Sequence, residues 1–162
     1  MGHQPAWVSL LRPGDVLLYR HRGVRAWVIR HATWSDVSHC EVYLGDGLCA
    51  TARGEQGTGI YDLETRNMRH LLRPIKPFDV DAAMRWHWAL GWKPLGWVRL
   101  AWMFFKPDTT FRREEMHCVE YTIEMLKAGG AIAVTRPDFD PMRATPLTLF
   151  ASPAFRLMWS AR

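Results

Sequence analysis

Residues 116–126, MHCVEYTIEML, are the stretch that decides the fold of this chain. Its apolar side chains recur at the i, i+4, i+7 spacing of one helix face: Val119, Ile123 and Leu126. The Gly129-Gly130 pair that follows is a typical helix stop. The pattern predicts an amphipathic helix that carries Cys118 in its first turn.

Cys118 therefore lies at a helix start, where the backbone favours ionisation of a cysteine thiol. The unpaired N–H groups and the dipole at a helix start stabilise a thiolate relative to a thiol, which lowers the cysteine pKa. A thiolate nucleophile needs a base, and the best candidate is His39, 79 residues upstream at the start of a predicted strand. Residues so far apart in sequence meet only through the fold. We expect Cys118 and His39 to lie side by side.

Length and composition fit a single domain that spans residues 1–162. The 162 residues are 48% hydrophobic and 12% aromatic, which is enough for one core and argues against disorder. Three cysteines, an odd number without a CxxC pair, favour neither a disulfide framework nor a structural zinc site. We expect a reducing compartment or one reactive thiol.

Basic residues outnumber acidic ones, giving a formal charge of +5 and a pI near 9.4. This excess favours polyanionic surroundings such as nucleic acid, anionic lipid or a bacterial wall polymer. The basic residues are scattered and accompany no nucleic-acid-binding motif, so we expect no nucleic acid specificity and interpret the charge as a solvated basic surface.

Neither export nor membrane insertion is predicted. The start, MGHQPAW, lacks the basic and apolar regions of a secretory signal, so we expect synthesis in the cytoplasm without a signal peptide. The most apolar tract, residues 95–105, is shorter than the roughly 18 apolar residues of a membrane span, and Arg99 interrupts it. We expect no membrane span.

The rest of the chain predicts an antiparallel sheet with helices. Strands are predicted after the Pro13-Gly14 turn, at 39–44, at 48–52 across a Gly45-Asp46-Gly47 turn, at 60–63 and at 70–75. Helices are predicted at 24–32 and at 79–90, the second with an aspartate cap and a glycine stop. This order indicates the α+β class, with an antiparallel sheet packed against the helix that bears Cys118.

Three segments are predicted to be irregular. Residues 54–59 are rich in glycine but lack the Lys-Ser/Thr ending of a phosphate-binding loop and do not open a helix, so we interpret them as a plain loop. Residues 92–107 are aromatic and are predicted to wrap the core. Four prolines divide the tail into loops and short helical turns: Pro137, Pro141, Pro146 and Pro153.

Four motifs, in this order, resemble a known family. They are Gly14-Asp15-Val16, Ser38-His39, the following Tyr43-Leu44-Gly45-Asp46-Gly47, and Cys118-Val119-Glu120 at a helix start. The combination is similar to the circularly permuted branch of the NlpC-type papain-like cysteine hydrolases, which includes YiiX-like proteins and lecithin:retinol acyltransferase. In that branch the histidine strand precedes the cysteine helix, as it does here. The resemblance covers about residues 11–152 and implies a permuted papain-like fold; small hydrolases of this shape are common in bacteriophage and prophage genomes.

The resemblance also implies a role for each matching residue. Cys118 would be the nucleophile, and His39 would be the general base whose protonated ring later protonates the leaving group. The main-chain N–H of Cys118 would stabilise the oxyanion. The family normally has a third polar residue, about a dozen positions after the histidine, that orients the imidazole. Thr51 stands there, in place of the usual His or Glu.

Two residues compete for this third position. Glu41 shares a strand face with His39, because residues i and i+2 point the same way. Thr51 depends on the hairpin register. A three-residue turn places it opposite Glu41, whereas a two-residue Asp46-Gly47 turn places Ala52 there and turns Thr51 away. The sequence leaves both Glu41 and Thr51 as candidates.

The remaining cysteines and histidines carry no comparable signal. Cys40 and Cys49 are expected to be inert buried side chains. His117 projects about 100° away from Cys118 on the helix, so we interpret it as a pocket or surface residue and not as the base. The other histidines lack ligand-like spacing, so we expect no metal site and no other cofactor.

Three functions are compatible with these features. The first is hydrolysis of amide bonds by a peptidoglycan endopeptidase or amidase of phage or bacterial origin, carried on a virion or released at lysis. The second is hydrolysis or transfer of a lipid ester or thioester acyl group by the same two residues, with the tryptophans between positions 86 and 102 as an acyl groove. The third is a virion or assembly component that keeps the fold without catalysis, which the unusual third residue would explain.

Overall fold

A six-stranded antiparallel sheet forms the centre of the fold. The computed structural model describes residues 5–95, 116–132 and 144–161. The strands are β1 (Val16–Tyr19), β2 (His39–Gly45), β3 (Leu48–Arg53), β4 (Gly57–Asp62), β5 (Met68–Pro74) and β6 (Phe155–Ser160). They lie in the order β4-β3-β2-β1-β5-β6, and each neighbouring pair is antiparallel.

Helices cover the sheet within the described ranges. The α-helices are α1 (Val24–Thr33), α2 (Val80–Leu90), α3 (Cys118–Ala128) and α4 (Pro146–Ala151), and the short 3-10 helices are Ala6–Leu10 and Gly54–Gln56. The helix α3 lies against β2 and β3 and also contacts α2. None of the helices in these ranges is long and apolar enough to cross a membrane.

Both faces of the sheet are buried. One face packs against α2 and α3 in the larger core, which includes Leu18 and Ile123. The opposite face packs in a smaller core with Trp7 and Leu17. Because neighbouring residues of a strand point to opposite faces, the central strand β1 is buried at every position, and its sequence is a continuous apolar run. The predicted antiparallel sheet with a helix that begins at Cys118 is present.

A buried ion pair holds the turn that leads into β1. Asp15 is fully buried and accepts hydrogen bonds from the main-chain N–H of Arg12 at 2.8 Å and from the guanidinium of Arg73 at 2.8 and 2.7 Å. Gly14 has φ +90°, and Phe78 occupies the space that a side chain would need there. Removing one partner of a buried pair costs about 3–5 kcal/mol. In this chain the Gly14-Asp15 motif therefore serves the fold.

The hairpin between β2 and β3 combines a tight turn with a bulge. Asp46 and Gly47 form a two-residue turn and have φ values of +50° and +75°. Positive φ at both central residues is typical of the turn that best fits the twist of a hairpin. The register shifts between Tyr43 and Gly45, which adds one residue to β2.

The bulge decides the register that the sequence left open. It pairs Val42 with Ala50, and the same register continued along the strands sets Thr51 opposite Glu41, on the face of His39. The turn has two residues, as in one alternative, but the register is the one expected for three. Glu41 and Thr51 therefore both point toward the histidine.

The predicted caps of α2 are confirmed, whereas two predictions of irregular structure miss outer strands of the sheet. The caps of α2 are confirmed: Asp79 accepts a hydrogen bond from the N–H of Ala82 at 2.9 Å, and Gly91 ends the helix. The prediction of a plain loop at residues 54–59 is wrong, because a 3-10 turn there is followed by β4, which begins at Gly57 and pairs with β3. The tail ends in β6, where only loops and helical turns were predicted. Most of the aromatic segment 92–107 lies outside the described residues.

Candidate active site

The helix α3 begins at Cys118, as the sequence predicts. His117 is its N-cap residue, and the Nδ1 atom of this buried ring accepts a hydrogen bond from the N–H of Glu120 at 3.2 Å. The cap fixes the first turn, so Cys118 occupies the first helical position, where main-chain N–H groups have no partner within the helix. The half-buried sulfur is thus held at the positive end of α3.

The side chains of Cys118 and His39 are in direct contact. A hydrogen bond joins the thiol of Cys118 to the imidazole of His39. His39 is the first residue of β2, so its ring lies at the end of the sheet, next to the start of α3. The fold thus brings together the two side chains that the sequence separates by 79 positions.

Both side chains line a cavity of about 310 Å³, a volume at the lower end of the range for ligand pockets. The lining includes apolar side chains from α1, Ala26 and Ile29, and from α3, Val119. Charged side chains of both signs also line the cavity: the exposed Arg22 and Arg25 and the half-buried Glu64. A substrate would therefore meet apolar surface together with charged groups.

The contact favours a thiolate–imidazolium pair. A hydrogen bond from Cys40 and the positive charge of His39 hold the pKa of Cys118 well below that of an ordinary thiol, although burial opposes the shift. Burial alone would lower the pKa of His39, but the charge and hydrogen bond of Cys118, together with Glu41, raise this pKa to about 10. The two groups titrate as a pair, and both shifts favour an ionised sulfur beside a protonated ring.

The second ring nitrogen of His39 contacts both candidates for the third residue. Its Nε2 lies 3.2 Å from Oε1 of Glu41 and 3.4 Å from Oγ1 of Thr51. The hydroxyl of Thr51 donates to the carbonyl of Cys40 at 2.7 Å, so toward the ring it acts as an acceptor. Although burial raises the pKa of Glu41, its bonds to His39 and Arg53 lower it overall. A carboxylate accepts a stronger hydrogen bond than a hydroxyl, so the geometry favours Glu41 as the orienting residue.

Arg53 holds Glu41 in place, and it is a residue that the sequence analysis missed. Its Nε and a terminal nitrogen lie 2.8 and 2.6 Å from Oε1 of Glu41, the same oxygen that contacts His39. A fully buried carboxylate needs such a partner, because an unpaired buried charge is strongly unfavourable. The signal for Arg53 was strand alternation, since it follows Thr51 by two residues on β3 and points the same way.

Cys40 has more than the inert core role expected of it. It lies under the first turn of α3, donates a hydrogen bond to Cys118, and has its Sγ 3.4 Å from Oγ1 of Thr122. Burial and the contact with Cys118 raise the pKa of Cys40 well above its ordinary value, so its thiol stays protonated and remains a donor. Cys49 lies in the smaller core, on the opposite face of the sheet from Cys40 and on the same face as Glu41, with which its side chain forms a hydrogen bond.

His21 covers the ring of His39 and was not signalled by the sequence. The two rings stack with their centroids 5.2 Å apart and an interplanar angle of 25°. On its other side, Nε2 of His21 lies 3.3 Å from Oε2 of Glu64. Burial and the positive charge of His39 lower the pKa of His21, so a neutral ring lies against the imidazolium. The stack restricts rotation of His39 in the site.

The described residues offer no obvious metal centre. Within residues 5–95, 116–132 and 144–161, no group of three or more His, Cys, Asp and Glu side chains is placed to hold a metal ion. The remaining histidines contact separate partners: His31 with Trp27, His70 with Ser160, and His87 with Tyr121.

Replacement of Glu41 by glutamine is expected to slow alkylation of Cys118 by iodoacetamide at slightly acidic pH about tenfold, the effect of about one pKa unit. Glutamine keeps the shape of the side chain but removes the charge that supports the imidazolium, so the pKa of His39 falls and the pKa of Cys118 rises. Thr51→Val removes only a neutral acceptor and is expected to have a smaller effect. A greater loss in Thr51→Val than in Glu41→Gln would contradict the ranking.

Replacement of Cys40 by alanine is expected to raise the pKa of Cys118, because the thiolate loses a hydrogen-bond donor. The measurement is the rate of iodoacetamide alkylation as a function of pH, whose midpoint should move to higher pH. Cys40→Ser is the matched control, since its hydroxyl keeps a hydrogen-bond donor at the same buried position. A midpoint that does not move in Cys40→Ala, or that moves equally in Cys40→Ser, would show that the hydrogen bond from Cys40 does not lower the pKa of Cys118.

Comparison with known proteins supports the fold. No protein-family model matches the sequence, and no curated protein matches it either. Among solved structures, the chain is similar to one described as the metalloprotein YiiX, DUF1105, from Escherichia coli O157:H7. The TM-score is 0.56 at 12% identity, and the match covers 93% of this chain and 97% of that chain. At this identity the likeness concerns the fold alone, and it confirms the YiiX-like part of the resemblance at that level.

Proposed function

We propose that this YiiX-like fold is a cysteine hydrolase in which Cys118 is the nucleophile and His39 the general base. The observation that carries the proposal is the contact between the two side chains within a cavity. A thiolate beside an imidazolium, with Glu41 on the far ring nitrogen, is the arrangement that nucleophilic catalysis requires. The order of histidine strand and cysteine helix supports assignment to the permuted branch of NlpC-type papain-like hydrolases.

In the first half of the reaction, the thiolate of Cys118 attacks the carbonyl carbon of the substrate. A carbon–sulfur bond forms, and the carbonyl oxygen takes the negative charge. The carbon–nitrogen or carbon–oxygen bond then breaks, and the imidazolium of His39 transfers its proton to the leaving amine or alcohol. The product of this half is a thioester on Cys118 and a neutral imidazole.

In the second half, water hydrolyses the thioester. His39 takes a proton from the water, and the resulting hydroxide attacks the acyl carbon. The carbon–sulfur bond breaks, which releases a carboxylic acid and restores the thiolate beside the imidazolium. Glu41 keeps the ring oriented through both halves, because its carboxylate accepts the hydrogen bond of Nε2.

The start of α3 supplies the charge stabilisation that the tetrahedral intermediate needs. The main-chain N–H of Cys118, at the first helical position, is the expected donor to the oxyanion. The helix dipole acts in the same direction on both the oxyanion and the thiolate. One structural element thus serves both the nucleophile and the intermediate.

An amide bond of peptidoglycan is the first candidate substrate. The family resemblance favours amide hydrolysis, and the net charge of +5 suits an anionic wall. Arg22 and Arg25 in the lining of the cavity would meet carboxylates of a wall peptide. A phage or bacterial origin, with delivery by a virion or by lysis, belongs to this candidate.

A lipid ester or thioester is the second candidate, and the lining of the cavity favours it. Ala26, Ile29 and Val119 line the same cavity as Cys118 and provide apolar surface, which suits an acyl chain better than a polar peptide. The chemistry at the sulfur is the same for an ester, whose alcohol is the easier leaving group.

A resident metal does not fit the site as described. The related fold is that of a protein described as a metalloprotein. Here the contacts run in a chain, from Cys118 to His39 and on to Glu41, and do not converge on one point; no metal-holding group of three lies among the described residues. The proposed reaction accordingly uses the side chains of this chain alone.

The test is incubation of the wild-type chain with purified peptidoglycan and, in parallel, with a chromogenic acyl ester and with phospholipid. New amine and carboxyl ends in the wall digest would support the amide candidate, and released chromophore and fatty acid would support the acyl candidate. No product from any substrate, with Cys118 no more reactive toward iodoacetamide than Cys49, would contradict the proposal and favour a virion component without catalysis.

A further inference from the structure

An apolar stripe of α1 faces solvent. Val24, Trp27 and Val28 recur at i, i+3 and i+4 and are 78%, 53% and 47% exposed, and Trp34 directly after the helix is 91% exposed. Single exposed apolar residues are normal on protein surfaces, whereas a contiguous group of them marks an interaction site. We define the α1 surface as these four residues with two arginines that precede them closely in the sequence, Arg20 and Arg22.

Both the backbone conformation and the solvent exposure of Trp34 are unfavourable when nothing is bound to the protein. It has φ +50° and ψ +37°, the left-handed conformation that favours glycine and disfavours bulky residues. It also exposes almost its entire indole ring to water. Backbone strain and an exposed ring at the same residue point to a role outside the fold.

The same stretch is strongly basic. The 20 residues between Asp15 and Asp36 contain no aspartate or glutamate but include four arginines, at positions 20, 22, 25 and 30. Arg20 and Arg22 are exposed and lie within four positions of Val24 in the sequence. Of the acids near this stretch, Glu64 lies 3.3 Å from His21 and Asp36 lies 3.4 Å from His70. The α1 surface therefore combines positive charge with apolar side chains.

The opposite side of α1 lines the cavity of the candidate active site. Ala26 and Ile29 face the cavity that contains Cys118 and His39, while Trp27 and Val28 face away from it. Arg22 belongs to both the cavity lining and the α1 surface. A partner that binds the α1 surface is therefore separated from the cavity with Cys118 only by the helix α1.

We infer that the α1 surface docks on an anionic lipid bilayer. Phosphate headgroups pair with the arginines, and the indole rings and valines enter the boundary between headgroups and acyl chains, where tryptophan is enriched. A wall polymer or a nucleic acid would satisfy the arginines but would leave Val24 and Val28 in water. A bilayer is the partner whose chemistry matches both parts of the surface.

The inference is tested by flotation of the full chain with vesicles, which does not depend on turnover and can use the Cys118→Ala variant. Vesicles of equimolar phosphatidylcholine and phosphatidylglycerol are expected to carry the chain, whereas pure phosphatidylcholine should carry little, and added salt should weaken binding. The double variant Trp27→Ser, Trp34→Ser should bind the mixed vesicles about tenfold less or weaker still. Its matched control is Trp88→Ser, which removes an indole that is 71% exposed outside the α1 surface and should leave binding unchanged.

The charge is tested in the same way. Arg20→Gln with Arg22→Gln should weaken binding to the mixed vesicles, whereas Lys76→Gln with Arg85→Gln, which removes two exposed charges outside the α1 surface, should have a smaller effect. No flotation with the mixed vesicles, or equal losses in the Trp88→Ser control, would overturn the inference. Binding to isolated cell wall but not to vesicles would also overturn it and would identify the wall as the partner.

Discussion

Replacement of Cys118 by alanine is expected to abolish hydrolysis of whichever substrate the wild-type chain accepts, with a loss on the order of 10⁴-fold or more. The reason is that the proposed reaction passes through a bond to this sulfur, for which alanine offers no substitute. Folding should be unaffected, because Cys118 is half-buried at the start of α3 and its side chain is small. The measurement is product formation in the wall digest and the ester assay, with thermal unfolding as the check on folding.

Alkylation gives a second readout of the same prediction. At slightly acidic to neutral pH, iodoacetamide should label Cys118 first in the wild-type chain, because the other two thiols are fully buried and burial raises the pKa of each. In the Cys118→Ala variant this first label should be absent. Equal labelling of the three cysteines, or activity that survives in Cys118→Ala, would refute Cys118 as the nucleophile.

Replacement of His39 by glutamine is expected to lower kcat/KM by about 10²- to 10⁴-fold, the usual contribution of a general acid–base residue. Glutamine retains hydrogen-bonding capacity but holds no proton, so it neither supports the thiolate nor protonates the leaving group. His87→Gln is the matched control, because His87 is also buried but bonds Tyr121 and does not line the cavity.

The direction of the pH effect follows from the paired charges. In the wild-type chain the pKa of Cys118 is lowered and that of His39 is raised to about 10, so the rate of alkylation should stay level through neutral pH and fall only in acid. Without the imidazolium the pKa of Cys118 rises toward that of a free thiol, about 8.5, so the rate should climb across neutral pH. A His39→Gln profile that matches the wild-type profile would show that the two side chains do not act together.

The helix start and the positions of His39 and Glu41 were predictable because their signals are local. The i, i+4, i+7 spacing and the Gly129-Gly130 stop define α3 without reference to the rest of the chain. Strand alternation alone puts Glu41 on the face of His39. These features depend on neighbours within a few positions, which is the range that pattern analysis covers.

The support around His39 was harder to predict because it depends on register and on contacts between elements. Thr51 and Arg53 reach the site only because a bulge resets the hairpin by one residue, and the composition of the turn does not specify that bulge. Cys40 acts through α3, 78 positions away from it in the sequence, and His21 acts through a ring stack. The strand β6 is likewise recognised by its pairing with β5 and not by its own sequence.

The bulge in β2 makes the length of the hairpin as important as its composition. Removal of one residue between Val42 and Gly45 would exchange the two faces of β3, so that alanines would meet the imidazole and Arg53 would point into the larger core. The carboxylate of Glu41 would then be left without its guanidinium. Homologous chains aligned with a gap at this hairpin would therefore share the architecture but not the contacts around the imidazole, whatever residues they carry at the positions of Cys118 and His39.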